Sequence, residues 1–398
     1  MKYIVVLGDG MADEPLEELG GKTPLEYANI KNINKLAKQS EIGLCSTIPE
    51  GMTPGSDTAN LSVLGYDPEK YYTGRSSLEA LSLGVDMLET DISFRCNVVT
   101  LSEEESDYKD KTIIDHSSGE ISTQEATVLI EEVKKHFQNE DYQFYPGTSY
   151  RHLTIWNKGE AVDLTAPHDI LGKKIGRHLP DDNNLKEMMI KSYEILNNHP
   201  ININRAKKGL NKANSIWFWG AGTKPSLDMF EEKYGKKGTM ISAVDLLKGI
   251  AVGSGMDIVE VEGATGSIDT NFEGKTKAAL KTLLEDDQDF VYIHLEAPDE
   301  MGHQGNVKDK VKAIEYIDEK VVKVLLEELK ESGVNFKMLI MPDHPTPIKY
   351  RTHTSDPVPY LIYNSEKQLN NSWNYNEKDA KASGNVVETG YKMMNKFL

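Results

Sequence analysis

Short apolar runs that end in acids or imidazoles punctuate this chain. Residues 3–7, YIVVL, contain no polar break and run into GDG. A run of that length and β-branched content predicts a buried parallel strand. Residues 289–295, DFVYIHL, and 336–341, FKMLIM, predict two more, ending in EAPDEMGH and PDH. Helical spacing takes over in residues 308–332, KDKVKAIEYIDEKVVKVLLEELKES, which predict one long amphipathic helix stopped by Gly333. Strands alternating with helices predict an α/β fold with a mostly parallel sheet core flanked by helices.

The pattern changes from about residue 91 to 211. ISFRCNVVT and YRHLTIW read as strands, and the acidic stretch LSEEESDYKD reads as a solvated loop. The expected organisation is a discontinuous core, residues 1–90 and 212–398, interrupted by an inserted α+β domain, residues 91–211. Core character returns at SIWFWG, where Trp217 and Trp219 read as packed residues, and continues through TMISAVDLLKGIA. No internal repeat or low-complexity stretch is present.

Composition narrows the function classes. The chain has 398 residues, 38% hydrophobic and 27% charged, ordinary for a globular protein with a sizeable core. Runs such as IVVL and MLIM are too short to span a bilayer, and MKYIVVLGDG lacks the length and cleavage site of a signal peptide. With Cys45 and Cys96 as its two cysteines and no CxxC, the chain reads as cytoplasmic with reduced thiols. A net charge of -18 argues against nucleic-acid and membrane surfaces. An anionic substrate would need local cations, from a metal or from a few Arg and Lys in a cleft.

Candidate chemistry gathers at the strand ends. Asp9 follows the first strand, Asp299 and His303 the second, and Asp343 and His344 the third, with His353 ten residues beyond Asp343. In an open α/β sheet, ligands bind beyond the carboxyl ends of the strands, so parallel neighbours would bring these side chains together. Asp299 and His303 stand four apart, on one face of a helical turn. Three carboxylates and three imidazoles suit a pair of divalent ions of mixed oxygen and nitrogen preference, such as Mn²⁺ or Zn²⁺. In PGSDTANLSVLGYDP, residues 54–68, Ser56 falls at a predicted helix start. It reads either as an N-cap or as a nucleophile beside a phosphate-binding helix terminus.

GDGM, PGSDTANLSVLGYDP, EAPDEMGH, PDH and RTHTSDPVP, in this order and spacing, resemble the cofactor-independent phosphoglycerate mutases of archaeal type, in the alkaline phosphatase superfamily. YRH, PHD, GATGSIDTNFEGK and IEYIDE extend the resemblance nearly end to end. It implies an alkaline-phosphatase-like core and a substrate-gripping lid. It also implies isomerisation of 3-phosphoglycerate and 2-phosphoglycerate through a phosphoserine at Ser56, without bisphosphoglycerate. Asp9, Ser56, Asp343 and His344 match one metal site, and Asp299, His303 and His353 the other. Mn²⁺ is the first expectation, with Mg²⁺, Co²⁺ or Zn²⁺ as alternatives. Arg95, Asp115, His116, Arg151, His152, His168 and Asp169 are the expected substrate contacts of the lid, with Lys248 a further one on the core. Asp115 or His152 is expected to move the proton between hydroxyls. Asn60 departs from the family pattern, where His often stands after the nucleophile, and receives no acid/base role.

Other readings share these motifs. A phosphatase, a sugar phosphomutase or a phosphotransferase on homoserine would use the same core with a different lid, although the chain lacks the GxxxxGK[ST] phosphate loop. A catalytically inactive, metal-stabilised binding protein is the reading from another class. The sequence leaves the oligomeric state open.

Overall fold

The computed structural model describes residues 1–160 and 162–398. The chain forms two compact units, one of residues 1–72 and 226–398, the other of residues 73–225.

The first unit is built on an eight-stranded sheet. Its order is Val386–Val387, Glu41–Cys45, Val358–Asn364, Phe336–Met341, Lys2–Gly8, Phe290–Leu295, Gly238–Ile241 and Asp257–Ile258. The three predicted strands are its centre. Lys2–Gly8 lies between Phe290–Leu295 and Phe336–Met341, parallel to both, with Leu7 opposite His294 and Met341. Ile4, Val5, Val6 and Leu7 are fully buried, as a strand covered on both faces must be. Antiparallel pairing enters only through Val358–Asn364, which joins Phe336–Met341 to Glu41–Cys45. Because the central strands are parallel and in register, Asp9, Glu296 and Asp343 leave the same edge.

Two devices hold that edge. Gly10 has φ +62°, and a Cβ there would lie 2.7 Å from the Asp299 backbone and side chain. Only glycine allows both the left-handed turn and the close approach. Lys310, fully buried, donates to Asp13 Oδ2 at 2.8 Å and to the Thr346 carbonyl at 2.7 Å. Asp13 in turn accepts from the Ile348 N–H at 3.1 Å, which ties down the start of the loop that carries His353.

The predicted long helix is continuous but not uniform. It runs as Val307–Tyr316, widens to a π-helix at Ile317–Val322, and resumes at Lys323–Glu331, with Gly333 at φ 72° just past its end. Asp318 in the widened turn accepts from the N–H groups of Asn32 and Ile33 at 3.2 and 2.6 Å, capping the neighbouring helix. Among the described residues no helix is long and apolar enough to cross a membrane.

The second unit is a five-stranded sheet centred on Ile92–Leu101, which pairs antiparallel with Arg151–Trp156 and Ser215–Thr223. Helices Thr123–Phe137 and Asn183–Leu196 share a core with Phe94, Cys96 and Val98. The unit is therefore wider than residues 91–211. SIWFWG pairs along most of Ile92–Leu101 and so belongs to this sheet and not to the first unit's core. The acidic stretch is not wholly solvated either. Tyr108 is buried, with its hydroxyl 2.8 Å from Ser215 Oγ.

Candidate functional site

Ser56 is the first residue of helix Ser56–Val63, and Gly55 holds the cap position. Its hydroxyl caps nothing in the helix and instead lies 3.2 Å from His344 Nε2. One turn on, Asn60 donates to the Ser56 carbonyl at 2.8 Å and to Asp343 Oδ2 at 2.9 Å, while accepting from the Tyr292 hydroxyl at 2.6 Å. Asn60 is thus committed to orienting Asp343 through hydrogen bonds that an amide makes without transferring a proton. Asp343 also accepts from the N–H groups of Gly10 at 3.2 Å and His344 at 2.9 Å.

The acids and imidazoles of the first unit gather into two groups. Asp9, His294 and Asp343 form one, and Asp299, His344 and His353 the other; within each, donor atoms lie within 4.8 Å of one another. His303 joins the second group, with Nε2 3.0 Å from His353 Nε2 and 3.2 Å from Asp299 Oδ2. His344 Nε2 stands between the two groups, 3.4 Å from Asp343 Oδ2 and 3.6 Å from Asp9 Oδ1. The structure therefore brings Asp9, Ser56, Asp299, His303, Asp343, His344 and His353 together. It adds His294, which sequence reasoning passed over as part of an apolar strand. A lone imidazole in DFVYIHL, directly before the strand end, was the available signal.

Charge and orientation in this cluster fit divalent cations. Burial, and then the Asp343 and Asp299 carboxylates, push the Asp9 carboxyl well above its usual range. Asp299 is held well below that range: burial opposes ionisation, but hydrogen bonds from His303 and His353 outweigh it. His303 is pulled up to about 9, burial being overcome by Asp299. Mutual repulsion of buried acids is what a bound cation relieves. His303 Nδ1 donates to the Arg351 carbonyl at 3.0 Å, and His294 Nδ1 lies 2.9 Å from Glu296 Oε1. Each bond occupies Nδ1 and leaves Nε2 facing the cluster, the usual arrangement behind a metal-bound imidazole. Asp9 Oδ1 and His294 Nε2 are buried without a hydrogen-bond partner among the described residues, each at a cost of ~1–3 kcal/mol unless a ligand completes it.

The second unit carries a separate cationic cluster. Arg95, 5% exposed, donates from Nε to Glu79 Oε2 at 2.9 Å and lies 4.4 Å from the Trp219 ring centroid. Burial lowers its pKa to about 10. The Trp219 indole N–H donates to Asn97 Oδ1 at 3.0 Å, and its ring meets His168 edge-on at 5.1 Å. His116 follows at 6.0 Å from His168 and 5.7 Å from Tyr150, over which Arg151 sits at 5.2 Å. Asp169 reaches His168 at 3.8 Å. Trp217 is fully buried, and Trp219, partly exposed within this cluster, packs against the same core.

Asp115, His152 and Lys248, the remaining expected contacts, each have protein partners. Asp115 accepts from the N–H groups of Ser117 and Gly119 and from Asn211 at 2.8, 2.6 and 2.8 Å. Burial would raise its pKa, but these bonds outweigh it and lower it. His152 lies opposite Cys96 in the ladder, one residue out of phase with Arg95, and therefore on the other face of the sheet. Lys248 is held by Glu260 at 2.7 Å.

His152 gives a pH signature. Its Nδ1 accepts from the Gly147 N–H at 3.0 Å, and burial holds its pKa down to about 3. An unfolded imidazole titrates near ~6.5, so the unfolded chain takes up the proton first. The stability contributed by the neutral ring is complete above ~6.5 and is lost as pH falls from there toward the folded value. Urea unfolding from pH 7 to 4 should therefore show a shallower acid loss in His152→Gln than in the parent, by up to ~1.4 kcal/mol per pH unit. Equal slopes would remove His152 as the cause.

Comparisons with known proteins agree with this geometry. Residues 37–202 match the family model for 2,3-bisphosphoglycerate-independent phosphoglycerate mutase. A Geobacter sulfurreducens protein named as a probable enzyme of that kind is 47% identical over 405 residues, spanning all of both chains. A Methanosarcina barkeri protein of the same name is 47% identical over 387 residues, covering 96% of this chain and 95% of its own. Among solved structures, the cofactor-independent phosphoglycerate mutase of Thermoplasma acidophilum is similar at 25% identity and a TM-score of 0.64, covering 100% of this chain and 99% of that one.

Proposed function

The chain belongs to the 2,3-bisphosphoglycerate-independent phosphoglycerate mutase family, and from that premise we propose that it is an isomerase interconverting 3-phosphoglycerate and 2-phosphoglycerate. The phosphoryl group passes through Ser56, and no bisphosphoglycerate takes part. The observation that carries this reading is a helix-terminal hydroxyl free of capping duty, 3.2 Å from His344 Nε2 and beside the converging acids.

Asp9, Asp343 and His344, with Ser56, would hold one divalent ion, and Asp299, His303 and His353 a second. Mn²⁺ suits the mixed carboxylate and imidazole set. When bound, such ions supply positive charge to phosphoryl oxygens and favour the ionised serine hydroxyl. The protein's own groups do the rest. Ser56 Oγ attacks phosphorus in line; the Oγ–P bond forms as the P–O bond to the substrate's C3 oxygen breaks. The proton lost by Ser56 ends on the departing oxygen of glycerate. The C2 hydroxyl then takes the phosphoryl group back by the reverse step. The N–H groups at the start of helix Ser56–Val63 favour the anionic group during both transfers. Asn60 and Tyr292 keep Asp343 aimed throughout.

Glycerate must stay bound between the two steps. Arg95 is the leading candidate to hold its carboxylate, because no hydrogen bond to a described residue uses its terminal Nη groups. Arg guanidinium offers carboxylate a two-pronged contact. Trp219 lies against it, and His168, His116 and Arg151 continue the cluster, with Asp169 beside His168. Asp115 and His152 support the unit's structure instead, and Lys248 stays outside the proposed chemistry. Two buried free thiols, Cys45 and Cys96, each pushed up to about 12 by burial, suit a reducing compartment such as the cytoplasm.

The test is a coupled assay of purified protein with Mn²⁺. Formation of 2-phosphoglycerate from 3-phosphoglycerate is followed through enolase, without added bisphosphoglycerate. Turnover that is lost with EDTA and regained with Mn²⁺ is expected. Release of inorganic phosphate in place of isomerisation would assign the site to a phosphatase.

A further inference from the structure

His294 lies at the end of strand Phe290–Leu295, one place before the edge from which Asp9 and Asp343 project. It is fully buried. Its Nε2 is 3.0 Å from Asp9 Oδ2, an ion-pair distance, with no hydrogen bond of regular geometry between them. Asp9 Oδ1 is likewise buried and unpartnered. Two donor atoms held ~3 Å apart without a bond between them is the spacing of neighbouring ligands on one ion, since metal–ligand bonds of ~2.1 Å at right angles subtend about that distance.

The far side of the ring is fixed independently. Nδ1 lies 2.9 Å from Glu296 Oε1. Glu296 is itself anchored by the Ala243 N–H at 3.1 Å, the Ser242 hydroxyl at 3.2 Å and the buried Lys275 ammonium at 2.7 Å. Lys275 neutralises Glu296 and also donates to the His294 carbonyl at 2.8 Å. This carboxylate–imidazole pair fixes a proton on Nδ1 and turns Nε2 toward Asp9 and Asp343.

We infer that His294 is a direct ligand, through Nε2, of the divalent cation held by Asp9 and Asp343, with Glu296 as the residue that orients it. The inference rests on the two-cation reading given above and adds a fourth imidazole to it.

The experiment uses the whole protein loaded with Mn²⁺. Pulsed electron paramagnetic resonance of protein carrying ¹⁵N-histidine counts the imidazoles coupled to Mn²⁺, and calorimetric titration gives the affinity of each site. Four coupled imidazoles are expected: His294, His303, His344 and His353. His294→Asn should lose one coupling and weaken one of the two sites ~10–100-fold, while Glu296→Gln weakens the same site by a smaller factor within that range. Three couplings in the parent protein, or two unchanged affinities in His294→Asn, would overturn the assignment while leaving the two-cation reading intact. Absence of any Mn²⁺ binding would sink both. The count on the parent protein needs no variant, so it decides the matter even if His294→Asn does not fold.

Discussion

Ser56→Ala should abolish isomerisation, with a loss on the order of 10⁴-fold or more, as for other nucleophiles that act as one unit with their activating groups. The hydroxyl is half-buried, makes no capping bond, and contacts His344 Nε2 at 3.2 Å. Its removal therefore leaves no orphaned partner in the helix, and Gly55 remains at the cap position. Thermal stability and Mn²⁺ content should stay near those of the parent, while steady-state turnover disappears. Substantial residual activity would show that the phosphoryl group does not pass through this residue. Loss of Mn²⁺ from the variant together with activity would instead make Ser56 chiefly a ligand.

Asp343→Asn should be nearly as damaging, but by another route. Asp343 is fully buried and accepts from Gly10, Asn60 and the His344 N–H. An amide in its place removes one negative charge and sets an NH₂ group against a ring of donors. A buried donor facing donors costs ~1–3 kcal/mol, and a lost carboxylate ligand weakens cation binding. The expected result is a loss of ~10³-fold or more in kcat/KM with a raised Mn²⁺ requirement that excess Mn²⁺ only partly restores. Titration of activity against Mn²⁺ reads it directly. An unchanged Mn²⁺ dependence would place Asp343 outside the cation site.

The core of this arrangement was legible in the sequence because it rests on simple periodicity. YIVVL, DFVYIHL and FKMLIM had to be buried parallel strands, and the residues that follow them had to share an edge. The acids and imidazoles beyond that edge were found by type and place. What escaped lay where side chains do not announce their partners. His294 sits inside an apolar run, and only the depth of its burial and the Glu296 carboxylate behind it reveal its orientation. Trp219 reads as core by composition, but the antiparallel ladder with Ile92–Leu101 sets it opposite Arg95. That ladder joins residues far apart in sequence, so no local pattern could place SIWFWG in the second unit. Asp115 and His152 carried suitable chemistry, but one is spent on a turn and the other faces the sheet's helix-packed side. A strand's two faces alternate with every residue, so one position separates the face of Arg95 from that of His152.

The central claim is that the phosphoryl group resides on Ser56 during turnover. Protein mixed with Mn²⁺ and 3-phosphoglycerate, quenched in acid within milliseconds, digested and analysed by mass spectrometry, tests it most directly. The account predicts a phosphate on Ser56 that appears within one turnover and is absent from EDTA-treated protein. Steady isomerisation with Ser56 unmodified at every quench time, and phosphate found on another residue or on none, would contradict it.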